Sequence, residues 1–236
     1  MGVRLGVLGA GLLGEALART WLARTGEAPL VWSRRLATDW TGILRARSIA
    51  IAIPGKALLD LVEGSEAARQ FTGNVFSAAA SLSQQSLHRV FPRASVVCIA
   101  PFLIDGVNSI PMLILGPVSE QVKAELENFG DVDVVEDEEI FAQLSLLGAS
   151  FPAVVLAAVH AAANASLQDL EDERASEIGK RIFYRAMRSL LDHGSSTEVA
   201  TPGGITERGL NSLGDVTSLF ESVFKRMRER ADEFRV

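Results

Sequence analysis

The chain has 236 residues, a formal net charge of −6, 48% apolar residues and one cysteine, Cys98. That length suits one large domain or two small ones, and the 22% of charged residues beside the apolar fraction excludes a disordered chain. A single cysteine excludes an internal disulfide framework, and the acidic balance speaks against a general nucleic-acid binder. Met1 leads within a few residues into a strand pattern, without the basic region, apolar run and cleavage site of a secretory signal. A cytoplasmic location with no nucleic-acid partner is therefore expected.

The first half alternates strand and helix signals. Val3–Leu8 reads as a buried strand, followed by helix periodicity over Leu12–Arg24. Pro29–Trp32 and Ser48–Ile53 read as the second and third strands, the latter stopped by Pro54 and Gly55. A helix over Lys56–Glu63, a strand over Asn74–Ala79, a short helix over Ser83–Phe91 and a strand over Ser95–Ala100 follow. These strands are apolar on both faces and spaced by helices, as in a parallel sheet covered on both sides. Two more strands are predicted at Met112–Leu115 and Val132–Val135, with a helix over Ser119–Phe129 between them.

Strand signals stop near Asp137. Glu138–Leu147 reads as an amphipathic helix or turn, and Phe151–Ala165, Leu170–Asp192 and Thr217–Phe234 read as helices. Phe151–Ala165, interrupted by Pro152, His160 and Asn164, is too short and too rich in small residues for a bilayer span, so it reads as a buried helix and no membrane partner is expected. Glu171–Arg174 reads as a solvated helix face. The fold class is thus an α/β domain of the Rossmann-like kind over residues 1–136, followed by an all-α C-terminal domain over residues 137–236.

Gly9-Ala10-Gly11-Leu12-Leu13-Gly14 is a G-x-G-x-x-G run between a predicted strand and a predicted helix, the context that gives this pattern meaning. Gly9 permits the tight turn, Gly11 leaves room for a pyrophosphate, and Gly14 lets helix and strand pack closely. The helix start offers free N–H groups to the phosphates. After the second strand the chain reads Ser33-Arg34-Arg35, with no carboxylate before Asp39. A hydroxyl and two guanidiniums suit the 2′-phosphate of NADP(H) rather than the ribose hydroxyls of NAD.

Other chemistries lack their residues. His88, His160 and His193 are scattered, with no metal-ligand spacing. The only tyrosine, Tyr184, has Arg188 rather than a lysine four positions on. No G-x-S-x-G elbow is present.

Four stretches occur in order: Gly9–Gly14, Ser77–Leu82, Ala149-Ser150-Phe151-Pro152-Ala153, and Thr201-Pro202-Gly203-Gly204-Ile205-Thr206. Together they resemble pyrroline-5-carboxylate reductase, which makes proline from its cyclic imine with NAD(P)H. The resemblance implies a substrate site at Gly203, Gly204, Ile205 and Thr206, with Thr206 as the catalytic residue that hydrogen-bonds the ring nitrogen. It also implies cofactor contacts at Ile53, Pro54, Ala78, Ala100 and Pro101, beside Gly9–Gly14 and Ser33–Arg35, and an intertwined homodimer or larger assembly. The chain departs from the family pattern at Ala100-Pro101-Phe102, where Phe102 replaces an amide, and at Phe151, which replaces a glycine. His160 stands at an acidic position and reads as a core histidine. These departures keep open a related NADP-linked imine reductase with a different substrate, or a non-catalytic NADP-binding regulatory protein.

Overall fold

The computed structural model describes residues 4–36, 39–102, 109–149, 151–167, 172–193 and 216–233. Among them lie the strands β1 (Leu5–Leu8), β2 (Leu30–Trp32), β3 (Ser48–Ile51), β4 (Asn74–Ser77), β5 (Ser95–Pro101), β6 (Met112–Leu115) and β7 (Val132–Val135). They form one sheet ordered β2-β1-β3-β4-β5-β6-β7. Strands β1 to β5 are mutually parallel, as their apolar runs imply. Strand β6 is antiparallel to β5 and parallel to β7.

Side chains alternate between two cores, as the period of a strand requires. Leu5, Val7, Ala50, Phe76, Val97 and Ile99 point to one face, against Leu17 and Trp21 of α1 (Leu12–Thr25). Leu8, Ile49, Ile51, Val75, Val96 and Cys98 point to the other, against Leu58 and Val62 of α2 (Gly55–Val62). Each such aliphatic side chain, fully buried, contributes about 1.5–3 kcal/mol. The helices α3 (Glu66–Gln70) and α4 (Gln84–Val90) cover the α2 side, and α5 (Glu120–Leu126) the α1 side.

Helix boundaries follow local chemistry. Ser65, Ser83 and Ser119 cap α3, α4 and α5, each hydroxyl accepting the amide three residues on. Gly26, at φ 72°, ends α1 in the left-handed conformation. A 3-10 turn at Thr41–Arg45 and the short helix α3, both absent from the sequence pattern, occupy the connections before β3 and β4.

The chain divides into two compact units, Met1–Ser150 with Met227–Val236, and Phe151–Arg226. In the first, α6 (Glu138–Ala149) is capped by Asp137, whose Oδ1 accepts the Ile140 amide at 2.8 Å. It lies against β5, β6 and β7, and Phe141 joins the core there. By length and composition alone Glu138–Ala165 would suffice to cross a membrane. Within that span α6 rests on the sheet through Phe141, while Ile140 and Leu147 stay about half exposed.

The second unit holds α7 (Phe151–Leu167), α8 (Glu173–His193) and most of α9 (Val216–Glu233). Asp172, read as part of a solvated face, also caps α8, its Oδ1 accepting the Arg174 amide at 2.9 Å. Two expectations are corrected here. Helix α7 is not buried: Ala163 is its one fully buried residue among those described, and Leu156 is 52% exposed. His160 is not a core histidine but an exposed residue whose ring meets Tyr184 edge-on at 5.2 Å. The reason is shared: among the described residues, the helices beside α7 leave much of its apolar surface uncovered.

Candidate functional site

The parallel strands end along one edge of the sheet. Helix α1 leaves β1 toward one face and α2 leaves β3 toward the other. The crevice between β1 and β3 is therefore a topological switch point, the usual ligand position in such sheets. Hydrogen bonding continues one residue past the strands there. Gly9 N donates to Trp32 O at 2.8 Å, Ala52 N to Leu8 O at 2.8 Å, and Ala78 N to Ile51 O at 3.0 Å.

The three glycines of the turn have distinct surroundings. Gly9 sits at φ 121°, and a Cβ there would stand 2.6 Å from Ala52 O. A Cβ on Gly14 would stand 2.0 Å from Gly9 O. Around Gly11 nothing lies within 4 Å, so its missing side chain leaves open space. Packing thus demands two of the glycines, and the third faces a vacant approach to the backbone.

Gly11 caps α1 in an extended conformation with no side-chain cap. The first intrahelical bond is Glu15 N to Gly11 O at 2.9 Å. The amides of Leu12, Leu13 and Gly14 consequently have no acceptor within the helix and, with the helix dipole, form an anion site. Leu12 is 77% exposed at this end. Ala10 lies half-buried between Gly9 and Gly11.

At the end of β2, Leu36 N donates to Ser33 O at 2.9 Å and closes a turn. Arg34 and Arg35 stand exposed on it, with no ion pair to either guanidinium among the described residues. The next carboxylate, Asp39, is engaged elsewhere. Its Oδ1 accepts the Thr41 hydroxyl at 2.7 Å and the Thr41 amide at 2.8 Å, and these bonds hold its pKa below the ordinary carboxylate value. The donor set beside β2 is cationic.

The remaining expected contacts line the same edge. Ile53 is half-buried, and its Cγ2 lies 2.9 Å from where a Gly9 Cβ would be. Pro54 opens α2. Gly55 then packs so closely on the β4–α4 loop that its Cβ would stand 2.3 Å from Ser81 Oγ. Ala78 is half-buried at the start of that loop. Ala52 and Gly55 shape the crevice wall without having been expected to; the Pro54-Gly55 stop was their visible signal. Ala100 and Pro101 pair with Leu113 and Met112 of β6. Phe102 extends this ladder, its N donating to Pro111 O at 2.8 Å, and its ring lies against Gly148 of α6.

Gly203, Gly204, Ile205 and Thr206 lie outside the described residues. Within the helical unit, Phe151 meets Phe220 and Phe224 edge-on at 5.9 and 5.3 Å. No metal-competent group of three His, Cys, Asp or Glu side chains occurs among the described residues.

Fold and crevice together define a Rossmann-like α/β unit followed by a helical unit. Solved structures place this fold more narrowly. The chain superposes on a pyrroline-5-carboxylate reductase from Coxiella burnetii with a TM-score of 0.78 and 19% identity, covering 100% of each chain. On a Plasmodium falciparum pyrroline carboxylate reductase solved with NADP bound, the TM-score is 0.80 at 14% identity, covering 99% of this chain and 98% of that one. A reductive aminase from Aspergillus terreus, in complex with NADPH and ethyl levulinate, gives 0.61 at 14% identity, covering 97% and 95%. The chain thus has the fold of the pyrroline-5-carboxylate reductases. No family model matches its sequence, and no curated protein does.

Proposed function

We propose that the chain is an NADPH-dependent reductase of the C=N bond in a small cyclic imino acid, with pyrroline-5-carboxylate as the leading substrate. The carrying observation is the glycine turn, with Gly9 and Gly14 packed shut, Gly11 open and three free amides beside it. The likeness of the whole chain to reductases solved with NADP bound supports the reading. The nicotinamide, when bound, supplies the hydride.

The chain's own residues bind and orient. The amides of Leu12, Leu13 and Gly14 hold the pyrophosphate. Ser33, Arg34 and Arg35 hold the 2′-phosphate, and Ile53, Pro54, Ala78, Ala100 and Pro101 line the path toward β5. By the resemblance of the Thr201–Thr206 stretch, Gly203, Gly204 and Ile205 would bind the substrate, the two glycine amides suiting its carboxylate. Thr206 would hydrogen-bond the ring nitrogen, its hydroxyl donating or positioning a water that donates, so that the proton needed on nitrogen comes from that donor. Orienting the imine carbon toward the cofactor would be the chain's main catalytic contribution.

NADPH oxidation with pyrroline-5-carboxylate, then with larger cyclic imines, tests this. Turnover supports it, and no turnover of any imine overturns it. A second reading, a related imine reductase with another substrate, is favoured by Phe102, whose ring stands at the end of β5 against Gly148. A preference for apolar imines distinguishes it. Tight NADPH binding without turnover would instead mark a regulatory binding protein.

The exposed apolar residues Leu156, Ile182 and Leu191 support a homodimer formed through the helical region, residues 137–236, with cofactor binding in residues 1–136. Light scattering at micromolar concentration tests this, and a monomer overturns it. One buried cysteine suits a reducing cytoplasm.

A further inference from the structure

A second groove lies at the opposite edge of the sheet, where β3, β4 and β5 begin. It encloses about 810 Å³ and runs between the 3-10 turn, the start of α5 and these strand ends. That volume falls within the range of metabolite sites, roughly 300–1,000 Å³. Arg45 and Arg47 line it, while no aspartate or glutamate does. For a chain of net charge −6 this is a local inversion of sign.

Neither guanidinium has an ion-pair partner among the described residues. Neutral hydrogen-bonding groups surround them, among them Thr72, Ser95 and Gln121. The nearby carboxylates make no direct ion pair with either guanidinium, although Asp39 attracts Arg45 through space. Glu125 accepts a bond from Asn74 Nδ2 at 2.9 Å, Asp39 holds Thr41, and Glu66 holds Gln70 at 2.7 Å.

The groove floor is fixed. Asn74 N donates to Arg47 O and Ser95 N to Gly73 O, each at 3.1 Å. Gly73 passes so close to Arg47 that a Cβ would stand 2.1 Å from its carbonyl. The Asn74 side chain, whose Nδ2 donates to Glu125, also donates from Nδ2 to Ser48 Oγ at 3.2 Å, tying the starts of β3 and β4 to α5. Two exposed arginines without a direct ion pair among the described residues, on a fixed backbone frame with neutral donors, form a receptor for an oxyanion, for which Arg45 would exchange its longer-range attraction to Asp39.

The geometry points to a binding site in this groove for a small metabolite bearing phosphate or carboxylate groups, separate from the crevice at Gly9–Gly14. Its occupancy requires neither cofactor nor turnover, so it stands or falls independently of the reductase reading.

Titration calorimetry on the full chain tests it, with inorganic phosphate and citrate as probes at matched ionic strength. Matching matters because these salts also stabilise proteins non-specifically. The expected result is saturable binding of at least one probe, weakened at least about tenfold in the Arg45→Gln/Arg47→Gln variant. Both arginines are exposed, and an unchanged Tm verifies that the variant folds. The relative affinities separate phosphate from carboxylate recognition. Arg34→Gln/Arg35→Gln, which alters the anion-binding crevice alone, should remove at most a separate binding event and leave the Arg45/Arg47-dependent one intact. Absence of saturable binding up to about 10 mM, equal affinity in the Arg45/Arg47 variant, or loss of affinity only in the Arg34/Arg35 variant overturns the inference.

Discussion

Gly14 in the first turn of α1 faces the carbonyl of Gly9 so closely that a Cβ on Gly14 would stand 2.0 Å from that oxygen. Helix and strand can meet there only if position 14 has no side chain. Gly11, three residues earlier, has open space instead. The two glycines therefore separate folding from binding.

Gly14→Ala should destabilise the fold by about 1–3 kcal/mol, because α1 must move off β1. Gly11→Ala should cost at most about 1 kcal/mol, the difference between glycine and alanine as a helix cap. Yet it should weaken NADPH binding at least about tenfold by crowding the pyrophosphate. Urea unfolding and calorimetry on the two variants check this. Unimpaired NADPH binding by Gly11→Ala would contradict the assignment.

Arg34→Glu should lower the NADPH/NADH preference, in Kd and in kcat/KM, by about 10–100-fold, the worth of a charge-assisted contact. Asp39→Asn should leave that preference unchanged, since Thr41 already occupies the Asp39 carboxylate. An unaltered preference in Arg34→Glu would sink the 2′-phosphate assignment.

Asp39 also makes a prediction in pH. Its folded pKa is depressed by the Thr41 hydroxyl and amide. The carboxylate's contribution is therefore complete above its unfolded pKa and is lost as pH falls through the folded value. The stability difference between wild type and Asp39→Ala, followed by chemical denaturation, should narrow on acidification below about pH 4. A difference that widens there would refute the stabilising role of the Thr41 bonds to Asp39.

Burial pushes the Cys98 thiol up to about 12, and the Glu138 carboxylate adds to the shift. The thiol should resist alkylation at pH 8 in the native protein and react once the chain unfolds. Mass spectrometry after a timed iodoacetamide pulse checks it. Rapid native labelling would show that β5 and the start of α6 open locally.

Phe102 and Gly148 form a second pair fixed by size, since a Cβ on Gly148 would stand 2.2 Å from the Phe102 ring. Gly148→Ala should destabilise by about 1–3 kcal/mol, and Phe102→Leu should relieve part of that in the double variant. Additive effects in the cycle would show that the two do not constrain each other.

The sequence made some of this legible and hid the rest for physical reasons. Gly9, Gly11 and Gly14 were readable because one backbone geometry imposes their spacing. Strands β1 to β5 were readable because burial on both faces leaves continuous apolar runs. The antiparallel direction of β6 was not, since Met112–Leu115 is apolar in either direction. Helix α3 spans only Glu66–Gln70 and is too short to show a helical period, although Ser65 carried its capping signal. The exposure of α7 and His160 escaped because apolar composition records a need for burial and not the partner that meets it.

Isotope transfer tests the central claim most directly. The protein is incubated with NADPH carrying deuterium at the transferable position of the nicotinamide, together with pyrroline-5-carboxylate or another small cyclic imine. The account predicts one deuterium on the former imine carbon of the product, read by mass spectrometry and NMR, and loss of that transfer in Thr206→Val. Tight NADPH binding with no deuterium in any imine product would contradict it.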